Sequence, residues 1–79
     1  MSEIVRQLED MIEVVARMIP KERQAHNVYR ETAAWAPTEA TRILFEHLAL
    51  SEKEHEAKLQ AVLKVLQKDL EAAKKKSKR

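Results

Sequence analysis

The chain has 79 residues, 44% of them hydrophobic and 35% charged, with a formal net charge of +2. That length allows one small domain, which would bury only about 60% of its unfolded surface and usually needs a metal, a disulfide or a partner to be secure. Cysteine and glycine are both absent, which removes disulfides, zinc fingers, thiolate clusters, cysteine nucleophiles and glycine-rich phosphate loops.

The first predicted element is helical and spans most of the N-terminal half. Ile4, Leu8, Met11, Val15 and Met18 step by four and three, and the step continues through Glu22, Ala25, Tyr29, Thr32 and Ala36. Pro20 interrupts this stretch, but the phase survives it and Ile19 is a poor N-cap, so one kinked helix is expected over two separate ones. The turn is placed at residues 36–38. Pro37 disfavours helical geometry at Ala36, and Thr38 is a good N-cap for the helix that follows. Glu39 then complements the helix dipole from the first turn.

The second helix is expected from Thr38 to about Lys75, with Leu44, Leu48, Glu52, His55, Leu59, Val62, Leu66 and Ala73 on one stripe. The reading is all-α: an antiparallel two-helix hairpin over residues 1–73, followed by a basic tail over 74–79. Lys74, Lys75, Lys76, Lys78 and Arg79 hold five positive charges, and without them the net +2 becomes −3 for residues 1–73. A mildly acidic body argues against nucleic acid as a partner. No apolar run reaches the length of a membrane span and Met1–Ser2–Glu3 does not open a signal peptide, so a cytoplasmic protein is expected.

Both apolar stripes turn polar at one level. Glu22 lies 15 residues before Pro37 and Glu52 lies 15 after it, so at about 1.5 Å per residue the two face each other. Glu52 and His55 form a Glu-x-x-His pair, whose spacing places both side chains on one helix face. A carboxylate on an apolar seam is costly to bury without a partner. A lone hairpin leaves its stripe open to water, and twofold pairing into a four-helix bundle would close it. Two copies each of Glu22, Glu52 and His55 are the ligand set of a di-iron carboxylate bundle. Iron suits these donors, and manganese and zinc are further metals they accept. The ordinary alternative is a polar layer that sets register and binds no metal.

Glu22…Tyr29 and Phe45…Ser51-Glu52-Lys53-Glu54-His55-Glu56 resemble the ferritin-like and rubrerythrin-like superfamily over about residues 20–66. The single hairpin with 30 residues between the first Glu and the Glu-x-x-His is most similar to the encapsulated ferritins. The resemblance implies a homodimer or larger ring, two iron ions per dimer held by Glu22, Glu52 and His55, and oxidation of Fe²⁺ for storage, with an encapsulin shell as a further partner. After Leu70 the chain carries lysines where that family has a targeting peptide, and without cysteine it has no rubredoxin-like module.

Around the ligands, His26, Tyr29 and Glu56 are candidates for a second shell. Each has an ordinary alternative: His26 a solvated side chain, Tyr29 a core ring, and Glu56, like Glu54, a charged helix flank. Met11 and Met18 read as core filler, Glu46 and His47 as surface, and Trp35 is expected to pack against the turn. Two functions besides ferroxidase remain open: a peroxide-scavenging di-iron protein, and a non-catalytic dimeric adaptor with a basic tail.

Overall fold

The computed structural model describes residues 2–77, so Met1, Lys78 and Arg79, the last two from the basic tail, lie outside the described residues. It contains two helices, α1 (Glu3–Ala34) and α2 (Glu39–Ser77), and no strand among the described residues. They pack antiparallel into a rod of 63 × 14 × 12 Å. Neither helix is long and apolar enough to cross a membrane.

Each helix end has a local cause. The Ser2 hydroxyl accepts from the Val5 amide at 3.2 Å and caps α1, and Glu3 sits in the positive first turn. Pro20 lies inside α1, so the phase of the apolar residues prevails over the lost hydrogen bond and one helix forms. The bend needs no left-handed residue, because no described residue has positive φ. At the start of α2 the Thr38 hydroxyl accepts from the Thr41 amide at 3.2 Å, while the Thr38 amide donates to the Thr41 hydroxyl at 3.3 Å. This reciprocal pair does the work of a capping box with threonine in the place of glutamate. α2 continues through Lys74, Lys75 and Lys76, where the cations complement the negative end of the helix.

The packed seam is a strict alternation of three and four. In α1 it runs Val5, Leu8, Ile12, Val15, Ile19, Glu22, His26, Tyr29 and Ala33, and in α2 Phe45, Ala49, Glu52, Glu56, Leu59, Leu63, Leu66, Leu70 and Ala73; all are buried or half-buried. This is the spacing of a coiled-coil seam. It corrects the expected stripes, which had merged two neighbouring rows. Leu8, Val15, Glu22, Tyr29, Glu52, Leu59 and Leu66 do lie on the seam. Ile4, Met11 and Met18 in α1, and Leu44, Leu48 and Val62 in α2, are exposed instead. Met11 and Met18 are therefore not core filler within the hairpin. The merging has a physical origin: both rows are apolar, so the pattern alone does not tell which one meets the other helix.

The second row makes the hairpin two-sided. Ile4, Met11, Met18, Leu48, Val62 and their outer neighbours Val14, Val28, Leu44 and Val65 line one flank, all exposed. The opposite flank carries ion pairs, Arg23 with Glu56 at 2.7 Å and Lys74 with Glu9 at 4.0 Å. Buried apolar residues number four among the described residues, Val5, Ala33, Ala49 and Leu66, and none of them is completely shut off from solvent. The core is thin.

Candidate metal centre

Glu22 and Glu52 meet across the seam at the level set by their equal distance from Pro37. His55 lies one turn beyond Glu52, on the apolar flank and not on the seam as expected. Its Nδ1 stands 3.6 Å from Glu22 Oε2 and 3.8 Å from Glu52 Oε2. The side chains of Glu22 and Glu52 are 18% and 20% exposed and that of His55 is 54% exposed. The cluster therefore opens sideways, from the seam onto the apolar flank. Among the described residues these three form the one group whose ligand atoms lie mutually within 4.8 Å in the manner of a metal site.

Electrostatics mark Glu22 as the strained member. Its Oε2 is buried with no hydrogen-bond partner, a costly state for a carboxylate oxygen. Hydrogen bonding with the neighbouring Glu52 carboxyl raises the Glu22 pKa, burial raises it further, and the Glu52 charge adds to both, while His55 opposes them. Two carboxylates held together on an apolar seam, one with an orphaned oxygen, are what a cation would relieve. With an imidazole alongside, the donor set fits iron or a similar divalent ion.

The neighbouring residues take distinct places. The His26 imidazole, half-buried one turn from Glu22, donates from Nδ1 to the Ala49 carbonyl at 2.7 Å. It is not the solvated side chain of the ordinary reading. Tyr29 turns its ring to Phe45, with centroids 6.2 Å apart and planes at 47°, an edge-tilted aromatic contact. That is the core-ring alternative. Glu56 is drawn to the opposite flank from His55: its Oε2 accepts from Arg23 Nε and Nη2 at 3.2 and 2.7 Å and from Gln60 Nε2 at 3.2 Å. Hydrogen bonding from Arg23 holds the Glu56 pKa below the usual carboxylate range. Arg23 was not singled out from the sequence, although the level argument that pairs Glu22 with Glu52 also brings Arg23 within reach of Glu56. Trp35 departs from expectation: it is 71% exposed and does not pack against the turn. Glu46 lies on the surface, paired with Arg42 at 2.6 Å, and His47 is exposed.

The sequence model of the Rubrerythrin family matches residues 13–79, which include the whole cluster and both seams around it. The chain belongs to the rubrerythrin family. This family lies within the ferritin-like superfamily, and its members bind iron and are di-iron oxidoreductase-like. No curated protein and no solved structure matches the chain.

Proposed function

We propose that the protein is a ferroxidase whose di-iron site forms between two copies of the hairpin. The observation that carries this reading is the cluster of Glu22, Glu52 and His55, with the buried and unpartnered Glu22 Oε2. One hairpin offers three ligands, too few for two ferrous ions, and directs the third of them onto an uncovered apolar flank. Twofold pairing through that flank doubles the set to four carboxylates and two imidazoles, the ligand set of a di-iron carboxylate bundle.

Iron enters this reaction as substrate. Two ferrous ions give one electron each to dioxygen, which takes up two protons and leaves as hydrogen peroxide. The role of Glu22 and Glu52 is to supply negative charge where two cations must sit close together, and cations compete with protons for these carboxylates. His55 contributes a neutral nitrogen donor, which favours a transition metal over magnesium or calcium. A hairpin dimer encloses no cavity, so the ferric product passes to a larger ring or to an outside protein shell such as an encapsulin.

Peroxide scavenging is the second reading, favoured by the family match itself. The test is anaerobic Fe²⁺ titration followed by air, with native mass recorded throughout. Ferroxidase chemistry predicts Fe²⁺-dependent dimers and rapid oxidation on admitting air. In Glu52→Ala and His55→Ala the rate should fall by at least the 10–100-fold that even outer-shell substitutions cost. Sustained turnover of hydrogen peroxide with a reductant, without net ferric release, would favour scavenging. Iron that changes neither mass nor stability would leave only a dimeric adaptor.

A further inference from the structure

The apolar flank that carries His55 also holds a groove of about 340 Å³ at the open end of the hairpin, lined by Ile4, Leu8, Asp69, Ala72, Ala73 and Lys76. At the bend stands Trp35, the chain's one tryptophan, 71% exposed. An indole is a broad apolar ring with a single N–H donor. The groove offers its complement: aliphatic walls from Ile4, Leu8 and Ala72 and one carboxylate, Asp69. Within one hairpin the two lie towards opposite ends of a rod 63 Å long and cannot meet.

We infer that Trp35 of one copy seats in the groove of a second copy, in a head-to-tail dimer whose twofold axis crosses the Glu22–Glu52 layer perpendicular to the helices. This rests on the two-copy metal centre proposed above, because that centre fixes where the axis passes. Trp35 lies 13 residues beyond Glu22 towards the bend. The rotation carries it 13 residues to the other side, to the level of Glu9 and next to Leu8. Ile4 is five residues further, about 7 Å along the helix, within reach of an indole. A second contact mirrors the first, so each dimer has two.

Charge selects this arrangement over side-by-side pairing. The last turn of α2 carries Lys74, Lys75 and Lys76. Parallel hairpins would bring both triplets to one end, where like charges repel. Head-to-tail pairing separates them by the length of the bundle, well beyond the Debye length of about 8 Å at physiological salt. Parallel pairing would also set Trp35 against its own copy and leave the groove open to water.

The experiment uses the full chain and Zn²⁺, a probe that fills the site without redox chemistry. As Zn²⁺ drives dimerisation, Trp35 emission should shift to the blue and its quenching by acrylamide should fall several-fold. Ala72→Arg, distant from the metal ligands, should weaken the dimer and restore quenching to the monomer level. In this cysteine-free chain, Trp35→Cys with Ala72→Cys should cross-link between copies through 35–72 disulfides. A Zn²⁺-loaded dimer in which Trp35 stays as quenchable as in the monomer overturns the inference and leaves the metal centre standing. So does a preference for 35–35 disulfides. If Zn²⁺ neither binds nor dimerises the chain, the two-copy centre fails and the Trp35 contact falls with it.

Discussion

Glu22 combines an orphaned oxygen with a like-charged neighbour, and its titration follows from both. Its pKa is raised in the folded chain, first by hydrogen bonding with Glu52 and then by burial. The folded state therefore holds this proton more tightly than the unfolded state does. The resulting stabilisation is complete below the ordinary carboxylate range and is lost as pH rises through the raised value. Glu56 runs the other way: with its pKa lowered by Arg23, its contribution is present above the ordinary range and lost as pH falls through the lowered value. Comparing the metal-free parent with Glu22→Gln isolates the first effect. The parent's thermal midpoint should gain from this group as pH falls towards the ordinary carboxylate range, and the variant should lose that gain. Identical pH profiles for the two would show that Glu22 is an ordinary surface carboxylate. The meeting of Glu22 with Glu52 was legible in the sequence, because both count from one proline. The His26 contact was not, since its acceptor is the Ala49 backbone carbonyl and no side-chain pattern reports a carbonyl.

α2 depends on a start signal that is local and testable. Thr38 and Thr41 satisfy each other's amides through their hydroxyls, so Thr38→Ala removes an N-cap acceptor. Such losses cost about 1 kcal/mol, within a range of roughly 0.5–2. Urea unfolding of the metal-free protein at fixed concentration should show a lower midpoint with unchanged slope. An unchanged midpoint would mean that packing alone starts α2. The helices, the bend and the cap were all readable from Pro37, Thr38 and the three-four spacing. The facing rows were not. In α1, Leu8 and Val15 belong to the seam while Met11 and Met18 belong to the flank, and all four are apolar. Burial inside one hairpin and burial in a larger assembly leave the same mark on a sequence.

The whole molecule exposes 6359 Å², whereas a compact monomer of its mass would expose about 4,900 Å². The excess comes from a rod-like shape and from a flank of methionine, leucine, isoleucine and valine left in water. Association through that flank should stabilise the fold even without metal, by mass action. The thermal midpoint of the metal-free protein should therefore climb as protein concentration increases about a hundredfold, with native mass moving towards the dimer. A midpoint independent of concentration would mean that the flank stays wet without metal.

The seam also sets an order in which the chain closes. Tyr29 and Phe45, next to the bend, are 16 residues apart, and His26 and Ala49 are 23 apart. Glu22 and Glu52 follow at 30 residues, and Glu9 and Lys74 are separated by 65. Doubling a loop costs only about 0.6 kcal/mol when it closes in one step. Once an inner contact has formed, the next adds just a few residues of loop, so closure proceeds outward from the bend like a zip. The acidic cluster lies partway along that path, with the groove near Ile4 and Asp69 at its far end. A chain zipped only as far as Glu22 and Glu52 already presents both carboxylates and His55. Metal capture can thus precede completion of the fold, and a captured ion would hold the zip against reopening while the open end is still free.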